Sequence, residues 1–79
     1  MRLPRDLGGT ELAHVLGASF GYVQVHFTGS HIILDTEEPY HHRLAIPAHR
    51  SLRVGTLNSI LRAVAAHKGV SRSDLLAAL

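Results

Sequence analysis

The chain has 79 residues, of which 46% are hydrophobic and 18% charged, a composition typical of one small folded domain and not of a disordered chain. We expect a single domain over residues 1–79, with a thin core that favours a surface site over a deep cavity. The absence of cysteine excludes disulfide bridges and thiolate zinc sites. No stretch approaches the roughly 20 apolar residues of a membrane span, and residues 1–6 lack a signal-peptide pattern. A cytoplasmic protein without a membrane partner is therefore expected.

Positive charge is concentrated in one half of the chain. The formal net charge is only +2, but residues 40–68 contain no aspartate or glutamate, and their basic residues are Arg43, Arg50, Arg53, Arg62 and Lys68. Such a segment indicates a polyanionic partner, although a solvated basic surface has the same composition. The seven histidines supply side chains suited to proton transfer, but their number does not locate a site.

The first predicted element is a helix over about residues 9–19. Leu12, Val15 and Leu16 fall on one face of it, which predicts an apolar stripe against a core. Gly21 is a plausible C-terminal stop for this helix.

Two strands joined by a tight turn are predicted next. Residues 22–27 alternate in a pattern of period two, which predicts a half-buried strand whose apolar side chains are Val23, Val25 and Phe27. Thr28-Gly29-Ser30 predicts a hairpin turn, because glycine accepts the unusual backbone angles that such turns need. Residues 31–36 are rich in β-branched and aliphatic side chains and form the second predicted strand.

A third strand is predicted over about residues 41–46, followed by a second helix from about Gly55-Thr56 to Lys68. Gly69 is expected to cap that helix, and Ser71 with Asp74 predicts the start of a short final helix. The order predicts an α+β two-layer domain, with both long helices on one face of an antiparallel sheet and the other face open. This α-β-β-β-α order is that of the double-stranded-RNA-binding fold, here with a short extra C-terminal helix. Order alone does not establish function.

His31 is the first candidate for chemistry. It follows the predicted turn and opens a strand, which would hold its imidazole rigidly at an exposed rim, as a general base requires. An ordinary exposed strand histidine would have the same spacing.

A second candidate region begins after the third strand. His49, Arg50 and Arg53 precede the start of the second helix near Thr56, where backbone N–H groups and the helix dipole favour a phosphate. A basic loop beside a normally capped helix is the structural alternative.

The remaining histidines give weaker signals. His41 and His42 are neighbours on a strand and should point to opposite faces. His14 and His67 are interpreted as a surface residue and as a residue favoured by the helix dipole, respectively. One zinc site is conceivable, although the chain offers no thiolate; its ligands would be His31, His42 and His49.

Several short motifs, taken in order, resemble the HicA toxin family. The resemblance begins at Leu3-Pro4 and Gly9-x-Glu11-Leu12 and continues through Gly21-Tyr22. Its strongest part is Gly29-Ser30-His31, and the later parts are Ile46-Pro47-Ala48-His49 and Leu52-Arg53-Val54-Gly55-Thr56-Leu57, followed by Ile60-Leu61. Each motif alone is weak, but the ordered set is fairly specific. Family members often carry arginine or lysine just before Gly-Ser-His, where this chain has His26 and Thr28.

The resemblance implies the double-stranded-RNA-binding fold, metal-independent endoribonuclease activity on mRNA, no cofactor, and neutralisation by a HicB-type antitoxin. It implies that His31 is the catalytic histidine. Residues expected to contact RNA or its phosphates are Ser30, His49, Arg50, Arg53 and Thr56. There are two alternatives. One is a non-catalytic RNA-binding module of the same fold, and the other is a protein-interaction domain whose partner covers the open sheet face. Salt-dependent RNA binding without cleavage would indicate the module.

Overall fold

A computed structural model describes residues 6–79. The elements run in the order α1 (Gly9–Phe20), β1 (Val23–Phe27), β2 (His31–Thr36), β3 (His42–Pro47), α2 (Val54–Lys68) and α3 (Arg72–Ala78). This confirms the predicted α+β arrangement with its short extra C-terminal helix. Leu3-Pro4, where the family resemblance begins, and most of the stretch examined for a signal peptide lie outside the described residues. Within residues 6–79, no helix is long and apolar enough to cross a membrane.

The three strands form one antiparallel sheet in the order β1-β2-β3. Along the central strand β2, Ile32, Leu34 and Thr36 are buried, while His31 is exposed and Ile33 and Asp35 are partly exposed. Because successive side chains of a strand point to opposite faces, one face of the sheet carries the core and the other carries His31.

The core lies between the sheet and the helices. Its largest fully buried side chains come from both layers and from α3: Leu12, Leu16, Leu34, Ile46, Leu57, Leu61, Val64 and Leu75. Burying a leucine or isoleucine side chain contributes about 1.5–3 kcal/mol, so these residues hold the helices on one sheet face. The apolar stripes predicted for α1 and α2 are confirmed.

The predicted helix ends are also confirmed. Gly21 and Gly69 adopt left-handed conformations at the ends of α1 and α2. Ser71 accepts a hydrogen bond of 3.1 Å from the backbone N–H of Asp74, and the Asp74 carboxylate accepts one of 3.2 Å from the N–H of Ser71. This reciprocal pair fixes the start of α3, as its sequence spacing indicates.

The first strand differs from its prediction. β1 is exposed along its whole length, and Val23, Val25 and Phe27 are 62%, 48% and 52% exposed. Val23 pairs with Asp35 and so lies on the face away from the helices. The register shift between Gln24 and His26 pairs Phe27 with the buried Ile32, on the core side, where the position of β1 at the edge of the sheet leaves it exposed. The prediction of a half-buried strand is therefore wrong, because every residue of β1 is exposed.

Candidate active site at the hairpin end of the sheet

The turn between β1 and β2 places His31. Gly29 has a φ of 93°, and no atom lies within 4 Å of the position that a Cβ would take, so backbone conformation and not crowding demands glycine. The backbone N–H of Thr28 donates to the carbonyl oxygen of His31 over 3.1 Å and closes the hairpin. His31 is consequently the first residue of β2, on a rigid strand at the edge of a turn.

Two hydroxyl groups of the turn hold His31. The backbone N–H of His31 donates to Thr28 Oγ1 over 3.1 Å, and His31 Nδ1 lies 3.0 Å from Ser30 Oγ at hydrogen-bonding geometry. Within the part of the chain that the structure describes, Nδ1 is the ring nitrogen with a hydrogen bond. The ring is exposed, so Nε2 is the nitrogen left to meet a substrate.

The turn is tied to the end of β3 through Ser30. Its carbonyl oxygen accepts a hydrogen bond of 2.8 Å from the N–H of Ala48, and His31 pairs with Pro47 across the sheet. Ser30 was predicted to contact RNA or phosphate. Its hydroxyl is hydrogen-bonded to the His31 ring, which gives it a part in orienting that ring.

The segment after β3 rests on the start of α1. The N–H of Gly9 donates to the carbonyl oxygen of His49 over 2.9 Å. A Cβ on Gly9 would lie 1.9 Å from the carbonyl oxygen of Pro47, so only glycine permits this approach. The N–H of Leu52 also donates to the carbonyl oxygen of Leu7 over 2.8 Å. These bonds fix the backbone that carries the exposed side chains of His49 and Arg50.

The start of α2 is accessible to an anion. Arg53 is the N-cap residue and is exposed, its side chain makes no capping hydrogen bond, and the first turn contains no acidic residue. Thr56 is partly buried, and nothing lies within 4 Å of the position of a Cβ on Gly55. The unpaired N–H groups of a helix start carry a partial positive charge. This end of α2, with its arginine, can therefore accept a phosphate.

The predicted site residues are thus only partly brought together. Ser30, His31 and His49 lie at one end of the sheet, joined through backbone hydrogen bonds to Ala48 and Gly9. Arg50, Arg53 and Thr56 follow along the next segment and into α2. Within residues 6–79, no hydrogen bond or salt bridge joins their side chains to His31, so a substrate would have to span the intervening surface.

An ion pair lies on the same sheet face as His31, next to the opposite end of β2. Arg43 donates through Nε and Nη2 to the two carboxylate oxygens of Asp35 over 2.7 and 2.9 Å. The hydrogen bond from Arg43, and secondarily its charge, hold the pKa of Asp35 below its usual range. The positive charge of Arg43 is consequently shared with a carboxylate, whereas among residues 6–79 no salt bridge involves Arg50 or Arg53.

The zinc alternative does not fit the fold. His42 pairs with Thr36 at the far end of β2 from His31, a separation of about 17 Å for five residues at 3.3 Å each. Zinc ligands lie about 2.0–2.1 Å from the metal through nitrogen, so His31 and His42 are too far apart to share one ion. Within the described range, no group of three histidines or carboxylates is placed to hold a metal.

Sequence reasoning missed a packed cluster at that far end. His67 was interpreted as a dipole-favoured helix-end residue, yet it is 7% exposed. Its ring stacks on His42 with 4.4 Å between centroids, and its Nε2 lies 3.2 Å from the carbonyl oxygen of Glu38. Tyr40 meets the His67 ring edge-on at 4.6 Å. His67 does lie in the last turn of α2, as predicted. Its burial was not predicted, because it comes from the packing of α2 against the loop after β2.

Lys68 and Tyr22 complete this cluster. Lys68 Nζ donates to Thr36 Oγ1 over 2.8 Å and to the carbonyl oxygen of Glu38 over 2.6 Å, and lies 5.0 Å from the centre of the Tyr22 ring. Burial raises the pKa of Tyr22 to about 12, so its hydroxyl stays protonated and can donate to His42 Nδ1 at 2.9 Å. Burial, and then the charges of His67, His41 and Lys68, lower the pKa of His42.

The chain matched no protein-family model, no curated protein and no solved structure. Its function is therefore inferred from its own residues. At the hairpin end, an exposed imidazole held on a strand can move a proton, while a basic segment and a helix start can hold an anion. That combination suits chemistry at a phosphodiester.

Proposed function

We propose that the protein is a toxin of the HicA type, a metal-independent endoribonuclease that cleaves mRNA in the cytoplasm and is neutralised by a HicB-type antitoxin. The observation that carries the proposal is the placement of His31. Its ring is exposed at the rim of the sheet and held by Ser30 through Nδ1, and its turn is bonded to the segment that leads to His49 and Arg50.

RNA is the substrate class because it contains its own nucleophile. An imidazole can take the proton of a ribose 2′-hydroxyl, or give a proton to the leaving oxygen, and either role typically accelerates a reaction about 10²–10⁴-fold. Arg50, Arg53 and the start of α2 at Thr56 would hold the phosphate and stabilise its developing charge. DNA lacks the 2′-hydroxyl and would not be cleaved by this route.

The test compares His31→Ala with the wild type in two settings. Purified protein is incubated with mRNA in the presence of EDTA, and each protein is induced in a bacterial host in which total mRNA integrity is followed. We expect cleavage and growth arrest with wild type only, since His31→Ala removes the proton-transfer group and leaves the turn in place. His14→Ala, an exposed change on α1, is the matched control and should behave like wild type.

Three results would contradict the proposal. Cleavage by His31→Ala at the wild-type rate would show that His31 takes no part in the reaction. Salt-dependent RNA binding by the wild type without any cleavage would make the protein a non-catalytic RNA-binding module. Chelation that abolishes cleavage would contradict the metal-independent route.

The antitoxin is expected to cover His31. Its binding should then slow amide hydrogen exchange along β2, from His31 to Thr36, relative to the free toxin. The measurement is exchange on the complex with a HicB-type partner, with α3 as an internal comparison. Unchanged exchange in β2, with slowing elsewhere, would place the inhibitory contact at another surface.

A further inference from the structure

Cleavage of RNA by its own 2′-hydroxyl requires two proton transfers, and the proposed function supplies one histidine. A base must remove the 2′-hydroxyl proton, and an acid must protonate the departing 5′-oxygen. A histidine that performs the first transfer cannot perform the second in the same step. The identity of this acid is a question that rests on the proposed function.

His26 lies on the same sheet face as His31. It pairs with Ile33 across the β1–β2 ladder, and Ile33 is two residues from His31 along β2. Side chains of paired residues share a face, so His26 and His31 are diagonal neighbours on the surface opposite the helices. Diagonal positions of this kind are about 7–8 Å apart, a span across which two imidazoles can flank one phosphate.

The register shift in β1 gives His26 this orientation. Tyr22 is buried, and strict alternation from it would turn His26 toward the helices. The shift between Gln24 and His26 adds one residue to the count and turns His26 to the face that carries His31. A bulge that re-aims a side chain beside a functional group is a recurrent use of this irregularity.

His49 is the competing candidate at this end of the sheet. It follows β3 on the connecting segment, and its backbone is bonded to the start of α1. It therefore lies toward Arg50 and the start of α2, with the groups assigned to phosphate binding. His26, in contrast, is carried by a strand that is hydrogen-bonded directly to the strand of His31.

We propose that His26 is the general acid of the reaction and His31 the general base. His31 Nε2 takes the proton of the 2′-hydroxyl, the 2′-oxygen bonds to phosphorus, and the bond from phosphorus to the 5′-oxygen breaks. His26 gives its proton to the 5′-oxygen. The products are a 2′,3′-cyclic phosphate and a 5′-hydroxyl, and no oxidant, reductant or further reactant is needed.

The test uses His26→Gln with two RNA substrates. On ordinary RNA we expect cleavage to fall about 10²–10⁴-fold. The second substrate carries sulfur in place of the 5′-oxygen at the cleaved bond, and its thiolate leaves without protonation. His26→Gln should cleave this substrate at nearly the wild-type rate, whereas His31→Ala should not.

His14→Gln is the matched control, because it makes the same change at an exposed position on the helix layer. Recovery on the sulfur substrate shows that His26→Gln is folded and binds RNA. Two results would overturn the role of His26 while the proposed function stands, provided that wild type cleaves RNA. In the first, His26→Gln cleaves ordinary RNA as fast as wild type. In the second, His26→Gln loses activity on both substrates. If wild type cleaves neither substrate, the proposed function itself fails, and the role of His26 with it.

Discussion

Histidines lie at the two ends of β2, His31 on the strand itself and His42 on the paired strand β3, and their circumstances are opposite. At the hairpin end, His31 is exposed and its ring is held by the neighbouring Ser30. At the other end, His42 stacks on the buried His67 and contacts Tyr22 from a separate element. The same residue type is thus available for proton transfer at one end and part of the packing at the other. The depth of burial and the origin of the contacts, not the presence of histidine, distinguish a side chain that solvent can reach from one that supports the packing.

The largest expected difference between the two ends of β2 is in how much a histidine substitution lowers the stability of the fold. His67→Ala removes the stack on His42, the edge contact with Tyr40 and the hydrogen bond to Glu38. Loss of a buried, hydrogen-bonded side chain typically lowers the free energy of unfolding by about 1–3 kcal/mol. His31→Ala should change it by less than about 0.5 kcal/mol, because an exposed side chain is lost.

Urea unfolding of both variants and wild type measures this difference. The order of the two variants should be opposite for the proposed RNA cleavage. His31→Ala should lose activity, whereas His67→Ala should retain it at a temperature where it is folded. Equal destabilisation by the two substitutions would show that the hairpin end also supports the fold. An inactive but fully folded His67→Ala protein would show that the far end takes part in the chemistry.

The features predicted correctly from sequence depend on neighbours along the chain. Gly29 at a turn, Gly69 after a helix, and Ser71 with Asp74 at a helix start each act within a few residues. Amphipathic spacing likewise predicted α1 and α2. The position of His31 on its strand follows from the turn, so this part of the candidate site was accessible to local reasoning.

The features that were missed depend on contacts between distant segments. His67 meets Glu38 across 29 positions in the chain, and Lys68 meets Thr36 across 32. No local pattern in α2 indicates that the loop after β2 will cover its last turn. Pairing with β2 decides which β1 side chains face the helices, so alternation alone did not predict that Val23, opposite Asp35, lies on the open face. Tertiary pairing, and not propensity, decided these positions.

A smaller effect is expected on the pH dependence of stability, and it also distinguishes His42 from His31. The pKa of His42 is lowered by burial and by the charges of His67, His41 and Lys68, so the folded protein binds this proton less readily than the unfolded chain. The unfolded state then binds more protons just below the usual histidine pKa of about 6.5, and stability rises with pH there. The contribution from neutral His42 is present above about pH 6.5 and is lost as the pH falls toward its lower folded-state pKa.

The midpoint of urea unfolding, followed from pH 7.5 to pH 5, measures this dependence. The range lies above the titration of Asp35, whose carboxyl pKa is lowered by Arg43. We expect the midpoint to fall with pH in the wild type and to fall less in His42→Gln, which removes the titrating ring. His31→Gln, an exposed change at the other end of β2, should keep the wild-type slope. If His31→Gln flattened the dependence instead, the proton-sensitive end of the sheet would be the hairpin end. The contrast between an exposed histidine, proposed to react, and a packed structural one would then be reversed.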